Sequence, residues 1–209
     1  MTRVKVCGIT RPEDAEAADR AGADAVGLIF APSPRRIDLR QATAIERVLS
    51  PWIVRVGVFV DAGLAAMDRA IAAARLDVLQ LHGSETPEFV RKVREEFGLR
   101  IVKSVRVGDG LDLVRLDEYE VDAFLFDTYV PGRAGGTGKT FDWDLAVPWA
   151  RRVRLILAGG LTPENVGEAV RRVRPYGVDV ASGVEREPGV KDHTKMQRFI
   201  ANVRQMEAT

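Results

Sequence analysis

Apolar residues fall into eight short runs rich in Val, Leu, Ile and Phe, at residues 4–9, 25–31, 54–60, 78–83, 100–106, 123–128, 155–160 and 178–183. Runs of this length and composition read as strands buried on both faces. Between them lie stretches with helical spacing of apolar positions, such as residues 13–21, 64–75, 87–97 and 163–173. Thr162-Pro163-Glu164-Asn165 has the form of a helix start, with Thr at the cap and Pro in the first turn. Thr10-Arg11-Pro12-Glu13-Asp14 is built the same way, with acids near the positive helix end. Strict β-α alternation predicts parallel strands joined by crossover helices. A doubly wound sheet usually has about five or six strands and a glycine fingerprint after the first. The Cys7-Gly8-Ile9-Thr10 turn carries no such fingerprint. The expected fold is therefore α/β, a single-domain (β/α)8 TIM barrel spanning residues 1–209.

Asp24, Asp77, Asp122 and Asp179 each stand just before or at the start of an even-numbered run, 53, 45 and 57 residues apart. The spacing is uneven, so the pattern reads either as a repeated two-unit module or as a common way to begin a strand.

Composition narrows the function mainly by exclusion. A net charge of +1 leaves no electrostatic footprint for nucleic acid or an anionic membrane. No apolar run approaches the roughly 20 residues that span a bilayer, and the N-terminus lacks the layout of a signal peptide. One cysteine excludes an internal disulfide framework. A cytoplasmic, soluble protein is expected.

In such a barrel the chemistry belongs at the C-terminal strand ends. Two proton-transfer groups lie there. Cys7 ends the first run, and Asp127 ends the sixth after Phe124-Leu125-Phe126. A thiol works as a base where cations or helix ends support its thiolate, although free cysteine is also a common core residue. An aspartate behind three apolar residues is costly to bury without a role, and an apolar pocket would favour the protonated form that suits a general acid. Ala158-Gly159-Gly160 and Ala181-Ser182-Gly183 end the seventh and eighth runs. Glycine there lets backbone N–H groups approach an anion, and this is the recurrent phosphate site of these barrels. The expected ligand is phosphorylated.

Gly132 to Thr140 imitates a nucleotide P-loop, but Arg133 stands where that motif needs glycine. A lid over the substrate is the better reading. Of Arg35 and Arg36, one could clamp a carboxylate while the other faces solvent, and sequence alone does not separate them. His82 ends the fourth run, but a lone histidine is more often structural than catalytic. With no Cys or His cluster, no metal is expected.

Together these blocks resemble the phosphoribosylanthranilate isomerase family. The resemblance rests on Val4 to Thr10, Gly22 to Gly27, Val56 to Val60, Leu79 to Gly83, Gly135 to Trp143, Ala158 to Val166, Val178 to Glu185, and Pro188 to Asp192. It implies a cofactor-free barrel that carries out an Amadori rearrangement in tryptophan biosynthesis. It further implies Cys7 as general base, Asp127 as general acid and Arg36 on the anthranilate carboxylate, with Gly159, Gly160, Ser182, Gly183, Asp179 and His82 among the substrate contacts. Ala181 departs from the family, which usually has a second serine beside Ser182.

Other readings remain open. A related sugar-phosphate barrel such as indoleglycerol-phosphate synthase would use catalytic lysines, and Lys5 and Lys103 lie within strands. A non-catalytic phosphate binder would have no need of both Cys7 and Asp127. A second, doubly phosphorylated aminoaldose would need another anion site, for which Arg35-Arg36 is the candidate. The chain would act as a monomer or a homodimer on a small phosphorylated aminosugar, without nucleic acid or membrane partners.

Overall fold

The computed structural model describes residues 1–107, 113–128 and 142–206. Eight parallel strands close into a barrel: β1 (Arg3–Cys7), β2 (Ala25–Ile29), β3 (Val54–Phe59), β4 (Val78–Leu81), β5 (Arg100–Val107), β6 (Ala123–Thr128), β7 (Leu155–Leu157) and β8 (Gly177–Val180). Each pairs with the next in sequence, and β8 returns to β1 with Lys5 opposite Asp179. The crossovers hold helices α1 (Pro12–Arg20), α2 (Leu39–Glu46), α3 (Leu64–Ala74), α4 (Pro87–Phe97), α5 (Val147–Ala150) and α6 (Val166–Val173). The β5–β6 crossover holds a 3-10 turn, Leu113–Glu118. Helix α7 (His193–Gln205) ends the described chain, packing on α1 and α6.

Strand alternation divides the core in two. Val56, Val78, Val102, Ala123, Leu125 and Ala158 fill the barrel interior. Their neighbours along the strands, such as Leu79, Ile101, Phe124 and Phe126, pack outward under the helices. Both faces of every strand are covered, which is why the strands read as continuous apolar runs.

Three sequence expectations are corrected. Most runs overshoot the strands at their C-terminal ends, because apolar residues beyond the ladder still pack into the barrel top: Ile9, Ala31 and Ala158 are buried but lie in loops. Thr162 does not cap a helix. The chain from Thr162 to Asn165 forms a turn instead, with Thr162 N–H donating to Asn165 Oδ1 and Glu164 N–H to Thr162 Oγ1. Helix α6 starts after Asn165. The aspartate repeat holds for three members only. Asp24, Asp77 and Asp122 each accept the N–H of a residue on the preceding strand (Val4, Arg55 and Ile101) and donate their own N–H to that residue's carbonyl. Asp179 lies within β8 and faces the barrel interior, and the residue just before β8 is Tyr176.

A feature absent from the strand count is the hairpin of β9 (Glu185–Glu187) and β10 (Val190–Lys191), directly after β8. Its turn, Pro188-Gly189, carries Gly189 at φ +85°, a conformation that favours glycine. Thr10 Oγ1 donates to the Gly189 carbonyl at 2.5 Å, drawing the hairpin over the end of β1.

Candidate active site

The C-terminal mouth places the expected groups in order around the ring. Asp127 is the last residue but one of β6, the glycine loops follow β7 and β8, Cys7 ends β1, and Arg36 lies in the loop after β2. Five consecutive strands therefore carry acid, anion loops, base and arginine.

The two glycine loops touch. A Cβ on Gly183 would sit 1.9 Å from the Leu161 carbonyl oxygen, so only glycine lets the short 3-10 turn Ser182–Val184 lie against the loop after β7. Gly159 and Gly160 take φ of +85° and +65°, left-handed conformations that glycine adopts without strain. Asn165 Nδ2 holds the Gly160 carbonyl at 2.9 Å. Among the described residues the Ser182 hydroxyl meets no protein partner and is available to a ligand.

Cys7 is 6% exposed, at the top of β1. Gly27 on β2 makes its room, since a Cβ there would lie 2.7 Å from Cys7 Sγ and 3.1 Å from Lys5 Cε. Below it, Lys5 Nζ donates to Asp179 Oδ1 at 2.8 Å. Burial pushes the Cys7 thiol above its ordinary value, with the Lys5 charge pulling the other way. Lys5 is held above its own ordinary value against its burial, by Asp179 and Cys7. The sequence expected Asp179 as a substrate contact; the structure engages it with Lys5.

Arg35 and Arg36 separate cleanly. Arg35 makes a bidentate pair with Glu185, Nε to Oε1 at 2.8 Å and Nη2 to Oε2 at 2.7 Å, while Arg36 is exposed. The carboxylate that Arg35 clamps is the protein's own, and Arg36 is left for a ligand. Gly8, at φ +74°, packs against the Arg35 stem, where a Cβ would come within 2.6 Å of Cδ.

Asp127 is 8% exposed. His82 Nε2 lies 3.5 Å from its Oδ2 and 3.3 Å from Ser104 Oγ. Gln80 Nε2 sits 2.9 Å from His82 Nδ1, so with the amide donating, the imidazole hydrogen is on Nε2 and faces Asp127. The pattern of the fourth run gave no sign of Gln80, because a buried amide inside an apolar strand looks like an exception rather than a brace. Lys103, weighed as a catalytic lysine, instead bonds Glu85 Oε2 at 3.0 Å and the Gly83 carbonyl at 2.8 Å. Glu85 in turn accepts the N–H groups of Asp61 and Gly83, which holds the loop that carries His82. The glycine-rich stretch 132–140, expected as a lid, lies outside the described residues. Among the described residues no three His, Cys, Asp or Glu side chains gather as a metal site.

A closed (β/α)8 barrel with a carboxylate and a thiol at its C-terminal mouth has the form of a TIM-barrel enzyme. The family of N-(5'-phosphoribosyl)anthranilate (PRA) isomerases matches residues 4–202. The chain belongs to this family and is an isomerase of tryptophan biosynthesis. It is 48% identical to the N-(5'-phosphoribosyl)anthranilate isomerase of Syntrophomonas wolfei subsp. wolfei, over all of both chains. The phosphoribosylanthranilate isomerase of Thermotoga maritima superposes with a TM-score of 0.90 at 44% identity, covering 98% of this chain and all of that one; that enzyme is described as dimeric. A phosphoribosylanthranilate isomerase in complex with reduced 1-(o-carboxyphenylamino)-1-deoxyribulose 5-phosphate superposes with a TM-score of 0.87 at 42% identity, covering 98% and 100%.

Proposed function

We propose that this chain converts N-(5-phosphoribosyl)anthranilate to 1-(2-carboxyphenylamino)-1-deoxyribulose 5-phosphate, with Asp127 as general acid and Cys7 as general base. The observation that supports it best is the placement of the touching glycine loops between acid and base around the mouth. A phosphate held by Gly159, Gly160, Ser182 and Gly183 lays the sugar between them, and the exposed Arg36 takes the anthranilate carboxylate with its planar fork. Asp127 donates its proton to the furanose oxygen. The C1′–O bond breaks as the anilino nitrogen lone pair forms the C=N bond of a Schiff base. The Cys7 sulfur then takes the C2′ proton, and the resulting enolamine tautomerises to the aminoketose. His82 steadies Asp127. Lys103 is committed to Glu85 and the Gly83 carbonyl, which disfavours a lysine-based synthase. The commitment of Arg35 to Glu185 removes it as a candidate for the second phosphate of a doubly phosphorylated substrate.

The test follows the fluorescence decay of phosphoribosylanthranilate generated in situ, with wild type and Asp127→Asn. Fast decay lost in the variant supports the reading. No decay in wild type, with product still binding, makes the chain a phosphate-binding barrel for another substrate.

We place the enzyme in the cytoplasm as a single-domain barrel, and we read it as a homodimer. Trp52, 90% exposed in the loop before β3, stands on the rim of a cavity of about 400 Å³ at the N-terminal end of the barrel. Val54, Val78, Val102, Ala123 and Ile156 line that cavity. A knob and a hole on one face form the self-complementary surface that a two-fold pair needs. Sedimentation of Trp52→Ser tests this: a dimer reduced to monomer supports it, and a wild type that is already monomeric overturns it.

A further inference from the structure

Cys7 is surrounded by buried charges from four segments. Lys5 comes from β1, Asp179 from β8, Arg35 from the loop after β2, and Glu185 and Lys191 from the β9–β10 hairpin; Gly27 of β2 brings none. Lys191 is wholly inaccessible to solvent. Its Nζ reaches the Cys7 carbonyl at 2.6 Å, Glu185 Oε1 at 2.9 Å and the Ala181 carbonyl at 3.2 Å. Three acceptors require three N–H donors, which only the ammonium has. Lys191 is therefore charged, although burial draws it below its ordinary value. Arg35 stays charged in any protein environment. The cluster holds three cations and two carboxylates, paired as Lys5–Asp179, Arg35–Glu185 and Lys191–Glu185. Glu185 serves two cations, so the group is one negative charge short. The atom that can supply it is Cys7 Sγ, which shares the gap over Gly27 with the end of the Lys5 side chain.

We propose that Lys5 is the positioning residue that makes Cys7 a base, its ammonium set by Asp179 and backed by the Arg35–Glu185–Lys191 group so that the buried sulfur can carry negative charge. Burial of a thiol in apolar surroundings by itself opposes the thiolate. A base made this way needs no contact between Lys5 and the substrate. Each turnover moves one proton onto sulfur while Lys5 keeps its own. This deepens the proposed role of Cys7 and rests on it, but the ionisation of the sulfur is measurable without substrate.

The chain's single cysteine gives a clean readout. The rate of modification by methyl methanethiolsulfonate, a reagent small enough for a nearly buried thiol, is followed against pH in wild type, Lys5→Met and Asp179→Asn. Thiolate absorbance, with Cys7→Ser as blank, is followed in parallel. Lys5→Met should raise the ionisation midpoint by one unit or more, so that modification near neutral pH slows about tenfold. Asp179→Asn removes a carboxylate and frees Lys5 for the sulfur, so the midpoint should fall. The opposite signs distinguish charge support from general loosening of the site, which would shift both variants alike. A folded Lys5→Met protein with the wild-type midpoint overturns the proposal. If Lys5→Met does not fold, Asp179→Asn decides: a lower midpoint upholds the proposal, and an unchanged or higher one overturns it. The acid limb of the kcat/KM profile should move with the sulfur. Ionisation that shifts as stated in a chain without isomerase activity would sink the reaction and leave the charge cluster standing.

Discussion

At the N-terminal end of the barrel, Asp24, Asp77 and Asp122 each hold one backbone N–H and at least one guanidinium, and water reaches all three. At the C-terminal end, Asp179 and Glu185 hold two lysines and an arginine that water scarcely reaches. Residue types and pair distances are much the same. What differs is burial and what the charges surround. Exposed pairs gain little from Coulomb attraction, so the N-terminal aspartates contribute mainly by closing backbone hydrogen bonds where strands begin. Buried pairs are costly to assemble, and at the mouth that cost sets the charge of a sulfur. One end of the barrel holds it together and the other does its chemistry.

The widest separation between the ends should come from Asp127→Asn. An amide cannot give up a proton to the ring oxygen, so kcat should fall about 10²- to 10⁴-fold, while thermal unfolding stays near wild type. A variant that lost activity only by unfolding would show the same drop in a melting curve, and that result would remove Asp127 from the acid role.

Next is Gly183→Ala, where the new methyl meets the Leu161 carbonyl. Forcing the two loops apart should cost roughly 1–3 kcal/mol. It should also raise KM for the phosphorylated substrate, because the same backbone shift moves the N–H groups of both loops. Denaturant unfolding and steady-state kinetics together check it. Stability lost with KM unchanged would separate the loop contact from phosphate binding.

The eight strands were legible because burial on both faces leaves an unbroken apolar run. The site was legible where one residue type has few bland uses, as with Asp127 behind three apolar residues or glycine pairs at adjacent strand ends. Its supporting charges were not. Lys5 meets Asp179 across 174 positions, and nothing local shows which partner a lysine inside a strand will meet. Arg35 and Arg36 are neighbours whose fates diverge only because Glu185 arrives on a hairpin. That hairpin had a sequence signal in Pro188-Gly189, overshadowed by the count of barrel strands. The aspartate repeat was visible in the sequence, but its meaning was not: the reciprocal bonds with Val4, Arg55 and Ile101 exist only once neighbouring strands are in register.

A smaller effect belongs to the N-terminal end alone. Asp122→Ala should cost about 1–2 kcal/mol, chiefly by leaving the Ile101 N–H without its acceptor, with kcat and KM unchanged. Acid should reproduce it. Burial raises Asp122, but the Ile101 N–H and the Arg94 guanidinium together hold it below its ordinary value. Asp24 is likewise held down against burial by Arg204, Arg3 and the Val4 N–H. A carboxylate lowered on folding contributes stability that is fully present above its unfolded value, about 3.9, and lost as pH falls through the lower folded value. Unfolding free energy should therefore decline below about pH 4, with a shallower decline in Asp122→Ala. Equal slopes would mean that other carboxylates carry the acid sensitivity.

The smallest effect sharpens the account of that end. Arg94 Nη2 lies 2.7 Å from Asp122 Oδ2, yet both side chains are about one-third exposed. If the aspartate works through the backbone, Arg94→Ala should cost only about 0.2–1 kcal/mol, because Ile101 keeps its acceptor. Salt should shrink that cost, since the exposed pair is screened, and should leave the larger cost of Asp122→Ala nearly unchanged. A double-mutant cycle across Arg94 and Asp122 at low and high ionic strength measures this directly. A coupling as large as the whole Asp122→Ala effect, and insensitive to salt, would make the ion pair the fastening element. The N-terminal end would then depend on charge pairing as the mouth does, and burial would no longer explain the contrast between them.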